Sequence, residues 1–108
     1  MPNVTIFVAD DKMPSDEALA ALTAQCTELC TELLQAAIGN VHVIYVGTRH
    51  GRGHPVFAEV QYRLAPFRTP PVMQQFMAAL DNAIRHATGL TARIRCFGYA
   101  AASLHARN

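Results

Sequence analysis

The chain carries one plan twice: a strand, a turn, a capped helix of about twenty residues, a glycine and a second strand. Setting Ser15 on Thr69 places Pro2 opposite Val56, and setting Val41 on Ala92 places His42 opposite Arg93. Each copy is a strand–helix–strand unit, whose two strands must run parallel through a right-handed crossover. Two such units predict an α+β fold, a four-stranded mixed sheet with both helices on one face. Residues 1–108 then form one domain, with pseudo-repeats at 2–48 and 56–99. No segment is left to cover the other face of the sheet, so a closed oligomer is expected.

Local patterns support each element. Asn3 to Ala9 alternates with period two, as a half-buried strand does. After the turn Asp10 to Pro14, Ser15 reads as an N-cap, with Asp16 and Glu17 in the first turn where the helix dipole favours them. Leu19, Leu22, Cys26, Leu29 and Leu33 form one apolar stripe, and Gly39 is the expected helix end. Val41 to Val46 is a nearly continuous β-branched and aromatic run, which predicts a buried strand. In the second copy, Val56, Ala58, Val60, Tyr62 and Leu64 share one face of a strand. Phe57, Glu59, Gln61 and Arg63 share the other, with Arg63 expected to pair with Glu59. Thr69 caps a helix that tolerates Pro70 and Pro71, because first-turn N–H groups have no intrahelical partner. Val72, Phe76, Leu80, Ala83, Ile84 and Ala87 face the core, and Gly89 ends the helix. Thr91 to Phe97 separates Ala92, Ile94 and Cys96 from Arg93, Arg95 and Phe97. The tail from Ala100 is expected to be loosely held or used at an interface.

Charge and composition narrow the function. A net charge of +1 creates no field to hold nucleic acid or a membrane. No run approaches the ~18 apolar residues of a membrane span. The opening residues also lack the basic start and apolar stretch of a signal peptide, so a cytoplasmic location is expected. Cys26, Cys30 and Cys96 are odd in number and sit in apolar patterns, as reduced core residues do. No carboxylate side chain follows Asp81, whereas Arg63, Arg68, Arg93 and Arg95 lie in or beside the later strands. A site built from the second half is therefore cationic and suits a small anionic substrate. The loop Arg49 to Pro55 holds His50 and His54 but no third ligand, so no metal is expected. It matches no phosphate-loop or dinucleotide pattern either, and no cofactor is expected.

Pro2 stands at the mouth of the first strand, behind a methionine of the kind removed before small residues. Once Met1 is removed, Pro2 carries a secondary amine held rigid by its ring. Nearby cations keep such an amine neutral, and thus basic, near cellular pH.

Pro2 and the doubled strand–helix–strand plan resemble the tautomerase superfamily. This is the group of 4-oxalocrotonate tautomerase, 5-carboxymethyl-2-hydroxymuconate isomerase and macrophage migration inhibitory factor. Phe67-Arg68-Thr69 resembles a turn that supplies a carboxylate-binding arginine there. Leu90-Thr91-Ala92-Arg93-Ile94 resembles a strand opening whose arginine binds or polarises substrate. The resemblance implies a homotrimer with sites between subunits and an isomerase of the kind used in aromatic degradation. Pro2 would be the catalytic base, and Arg68, Arg93 and Arg95 the substrate-binding residues. Pro14 and His42 stand where short members keep arginines. Tyr99 and a run of alanines replace the late carboxylate of hydrating members, and Asn40 the aspartate of decarboxylating ones. Hydration, dehalogenation and decarboxylation are therefore disfavoured. The rival reading is a non-catalytic ferredoxin-like module that binds a small anion or a protein. An RNA-binding domain would require paired stacking aromatics on the central strands, which the sequence lacks.

Overall fold

The computed structural model describes residues 1–108. They form β1 (Asn3–Ala9), α1 (Asp16–Glu32), β2 (His42–Thr48), β3 (Val56–Arg63), α2 (Pro70–Thr88) and β4 (Ala92–Tyr99). Short 3-10 turns lie at Asp10–Lys12, Ile38–Asn40 and Ala101–Ser103. The sheet order is β2-β1-β3-β4. β1 pairs with β2 and β3 with β4 in parallel, while the central pair, β1 and β3, is antiparallel. This is the expected fold of two strand–helix–strand units. The parallel registers agree with the repeat, since Asn3 faces His42 and Phe57 faces Arg93.

Each helix starts where its cap stands. The Ser15 hydroxyl accepts from the Ala18 N–H at 3.2 Å, and the Thr69 hydroxyl from the Val72 N–H at 3.4 Å. Pro70 and Pro71 occupy the first helical positions, and Gly89 closes α2 in the left-handed region at φ 71°. Strand alternation sends Val4, Ile6, Val8, Val56, Ala58 and Val60 toward the helices. There they pack with Leu22, Cys26, Cys30, Leu34, Phe76, Leu80 and Ile84 in one core. Each fully buried large aliphatic or aromatic side chain among them is worth about 1.5–3 kcal/mol.

The opposite face carries three cross-strand rows. They are Val46–Phe7–Phe57–Arg93, Ile44–Thr5–Glu59–Arg95 and His42–Asn3–Gln61–Phe97. Phe7 and Phe57 stack with ring centroids 5.9 Å apart. No element of the chain covers these rows, and Ile44 and Phe97 are more than two-fifths exposed.

Several details differ from the sequence expectations. α1 stops at Glu32 rather than near Gly39. Leu34 turns fully into the core, Gln35 takes a positive φ of 53°, and the Ala36 N–H reaches back to the Cys30 carbonyl. A non-glycine residue makes this turn, so the glycine signal pointed too far along. β2 is an edge strand with one open face, not a buried strand, within the single chain. Leu64 falls beyond β3 and is exposed, and Arg63 makes no ion pair with Glu59. β4 runs on to Tyr99.

Within the extended part of β4, Gly98 lies close against the side chains of Tyr62 and Leu64. A Cβ there would lie 2.6 Å from Leu64 Cδ2 and 2.8 Å from Tyr62 Cζ. Gly98→Ala is therefore expected to cost about 1–3 kcal/mol through overpacking, read from urea denaturation midpoints.

The thiols report on the core. Burial pushes Cys26 up to about 12, with Cys30 adding to the effect. Burial also pushes Cys30 up to about 11, Arg68 opposing and Cys96 adding, and it raises Cys96 to about 11. Unfolded thiols ionise near their ordinary 9.0, while the folded ones stay protonated. The stability they contribute is full below that value and is lost as pH rises through 11 and then 12. The urea midpoint should fall on going from about pH 8 to about pH 11, and fall less steeply in Cys26→Ala.

Candidate functional site

Because β1 and β3 are antiparallel, β3 ends beside the start of β1. This brings the turn after β3, which carries Arg68, to the Pro2 end of the sheet. Pro2 is fully buried, and its carbonyl accepts from the His42 N–H at 3.1 Å, which ties it to β2. Met1, on the nitrogen side of that ring, lines a cleft of about 410 Å³ together with Gln35, Asn40, Arg63, Arg68 and Arg107. Three guanidinium groups thus share one cleft with the residue that acylates Pro2.

Local bonding fixes Arg68. Its N–H closes a turn onto the Ala65 carbonyl at 3.0 Å. Its Nε donates to the Leu34 carbonyl at 2.8 Å and its Nη1 to the Arg63 carbonyl at 2.7 Å. The guanidinium carbon lies 5.2 Å from the centroid of the Phe67 ring. Arg68 therefore ties the end of α1 to the end of β3. Of the five N–H donors of a guanidinium, the two bonds leave three for a ligand. Partial burial lowers its pKa, with Cys30 and Tyr62 acting in the opposite sense. The group remains cationic at any physiological pH.

Arg93 and Arg95 lie elsewhere. Both project from β4 on the open face, Arg93 in register with Phe57 and Arg95 with Glu59. Asn3 is in register with Gln61, so Pro2 and Arg93 stand about five residues, or roughly 17 Å, apart along the sheet. Arg95 Nη1 donates to the Ile94 carbonyl at 2.8 Å. One chain therefore brings Met1, the residue bonded to the Pro2 nitrogen, and Arg68 to the same cleft but leaves Arg93 and Arg95 away from it.

The sequence reading missed Gln35 and Arg107 as lining residues. Gln35 was hidden inside an overlong helix. Arg107 sits in a tail with no periodicity, so no local signal marks it. A larger cleft, about 760 Å³, opens at the other end of the sheet and touches neither Pro2 nor Arg68. No group of three or more His, Cys, Asp or Glu residues is placed to hold a metal ion. No helix is long and apolar enough to cross a membrane.

Replacing Arg68 by Ala would leave the Leu34 and Arg63 carbonyls without their partner. Arg68→Ala is expected to lower stability by about 1–3 kcal/mol in urea denaturation, and Arg68→Lys by less.

The sequence matches no family model and no curated protein. Solved structures give a clear likeness of fold. Macrophage migration inhibitory factor of Toxoplasma gondii is 16% identical with a TM-score of 0.78, over 97% of this chain and 96% of that one. A fused 4-OT described as a symmetric trimer is 16% identical with a TM-score of 0.79, over 99% and 93%. A member of the cis-3-chloroacrylic acid dehalogenase family is 14% identical with a TM-score of 0.81, over 97% and 80%. The chain has the fold of the tautomerase superfamily, as the resemblance in sequence implied.

Proposed function

We propose that the protein is a cofactor-independent tautomerase of a small 2-oxo or 2-hydroxydienoic acid, working as a homotrimer in the cytoplasm. The observation that carries this reading is the shared cleft of Met1 and Arg68 at the mouth of β1. Removal of Met1 frees the Pro2 nitrogen on that side. The trimer is supported by the fused 4-OT of the same fold and by the uncovered sheet face.

The chemistry follows from the residue types. The neutral Pro2 nitrogen takes a proton from the carbon next to the carbonyl, and the electron pair moves onto oxygen as an enolate. The resulting ammonium returns the proton at the other end of the conjugated system, so the net change is isomerisation. Guanidinium groups stabilise the developing oxyanion in a site that excludes water. Arg68 grips the substrate carboxylate and holds the acidic carbon over the base. Arg93 or Arg95 polarises the oxo group. Since neither reaches Pro2 within one chain, a neighbouring subunit must deliver it. The same cations hold the amine neutral.

The test begins with intact-mass spectrometry of the purified chain, where loss of Met1 is expected. Ketonisation of phenylenolpyruvate, 2-hydroxymuconate and 5-carboxymethyl-2-hydroxymuconate is then followed in the ultraviolet. Pro2→Ala should lower kcat/KM by about 10²–10⁴-fold. A solved structure of this fold was inactivated by 2-oxo-3-pentynoate. That conjugated ynone should form one adduct per chain here, mapping to the Pro2 nitrogen. Retention of Met1, or a Pro2→Ala variant as active as the wild type, would sink the proposal and leave a non-catalytic anion-binding module.

A further inference from the structure

The two halves of the repeat leave their helices through the same backbone conformation, but with different residues. Gly89 closes α2 at φ 71°, where glycine meets no steric penalty. After α1 the left-handed position, at φ 53°, belongs to Gln35. A side chain in that conformation strains the backbone, and residues that keep such strain cluster at functional sites. Gly89 lies outside the cleft at the Pro2 end of the sheet, whereas Gln35 lines it beside Met1 and Arg68.

The backbone is fixed on both sides of Gln35. Leu34 before it is fully buried, and the Leu34 carbonyl accepts from Arg68 Nε at 2.8 Å. The Ala36 N–H after it donates to the Cys30 carbonyl at 3.0 Å. Packing does not explain the side chain, because Gln35 is exposed and takes no part in the core. Its carboxamide also has no hydrogen-bond partner within the chain. A strained, firmly held position thus presents an uncommitted polar group to the cleft.

The chemistry of that group differs from that of the guanidinium groups around it, which only donate hydrogen bonds. A carboxamide donates through its NH₂ and accepts through its oxygen. A 2-oxo acid offers an acceptor oxygen at the carbon where its 2-hydroxy tautomer offers a donor hydroxyl. One carboxamide matches both forms, and a guanidinium cannot accept from the hydroxyl.

We infer that Gln35 is a specificity-determining residue of the proposed tautomerase, its carboxamide binding the 2-oxo or 2-hydroxy oxygen of the substrate. The inference rests on the tautomerase reading, since it gives Gln35 a task only beside a free Pro2 amine.

The test compares wild type, Pro2→Ala, Gln35→Gly and Gln35→Asn, as full-length chains at one protein concentration, in urea denaturation and in ketonisation of 2-hydroxymuconate. Glycine fits the left-handed backbone, so Gln35→Gly should unfold at a higher urea concentration than the wild type. The same variant should lose on the order of tenfold in kcat/KM through the missing hydrogen bond. Gln35→Asn keeps a carboxamide, tolerates the left-handed region and should recover part of that loss. Higher stability with lower activity is a combination that a merely structural residue does not give. The inference is overturned if Gln35→Gly is as active as the wild type, if its urea midpoint falls, or if Gln35→Asn is no better than Gln35→Gly. In an enzyme whose activity depends on Pro2, any of these outcomes sinks the role of Gln35 alone. A wild type without Pro2-dependent activity sinks the tautomerase reading and this inference with it.

Discussion

The antiparallel pairing of β1 with β3 is the constraint on which the rest of the structure depends. Each strand–helix–strand unit could form its own parallel pair, but only this central register joins the two under a shared core. Val4, Ile6 and Val8 face Val60, Ala58 and Val56 across it, and all six are buried beneath the helices. A slip of one residue would turn each apolar row onto the open face. Burial therefore holds the register, and the register decides which chain ends meet.

The functional consequence is geometric. The start of β1 and the end of β3 are brought to one end of the sheet, so Met1, which is bonded to the Pro2 nitrogen, and Arg68 line the same cleft despite their separation in sequence. The same register carries Arg93 toward the opposite end of the sheet and leaves Arg95 at mid-sheet, level with Glu59 and Thr5. Arg68 has two tasks at its edge. It satisfies carbonyls at the ends of α1 and β3, and it keeps donors and a positive charge for the cleft. A residue with both tasks gives misleading results in activity assays alone, because its loss alters the walls of the site as well as its charge.

Much of this was legible in the sequence because the signals were local. Period-two alternation located β1 and β3, and Ser15, Thr69 and Gly89 marked helix ends through their own side chains or backbone freedom. The doubling of the pattern gave the two parallel strand–helix–strand units and the mixed sheet, but not the order of the strands within it. What could not be read depends on contacts between distant segments. α1 ends at Glu32 with Leu34 buried and its carbonyl bonded to Arg68, thirty-four residues further on. The edge position of β2 follows from the strand order, which a buried-looking run of Val41 to Val46 does not encode. Arg107 joins the cleft from a tail without periodicity. Pro2 was legible as a chemical type, whereas the residues that accompany it were legible only in part.

The central claim is that a free Pro2 amine sits within the field of Arg68. The most direct measurement is a titration of the ¹⁵N-labelled Pro2 nitrogen by NMR, in the wild type and in Arg68→Gln. The account expects the nitrogen to titrate below an ordinary α-amine, and to move upward when the guanidinium charge is removed. An acylated nitrogen that does not titrate, or an amine whose pKa is the same in both proteins, would contradict it.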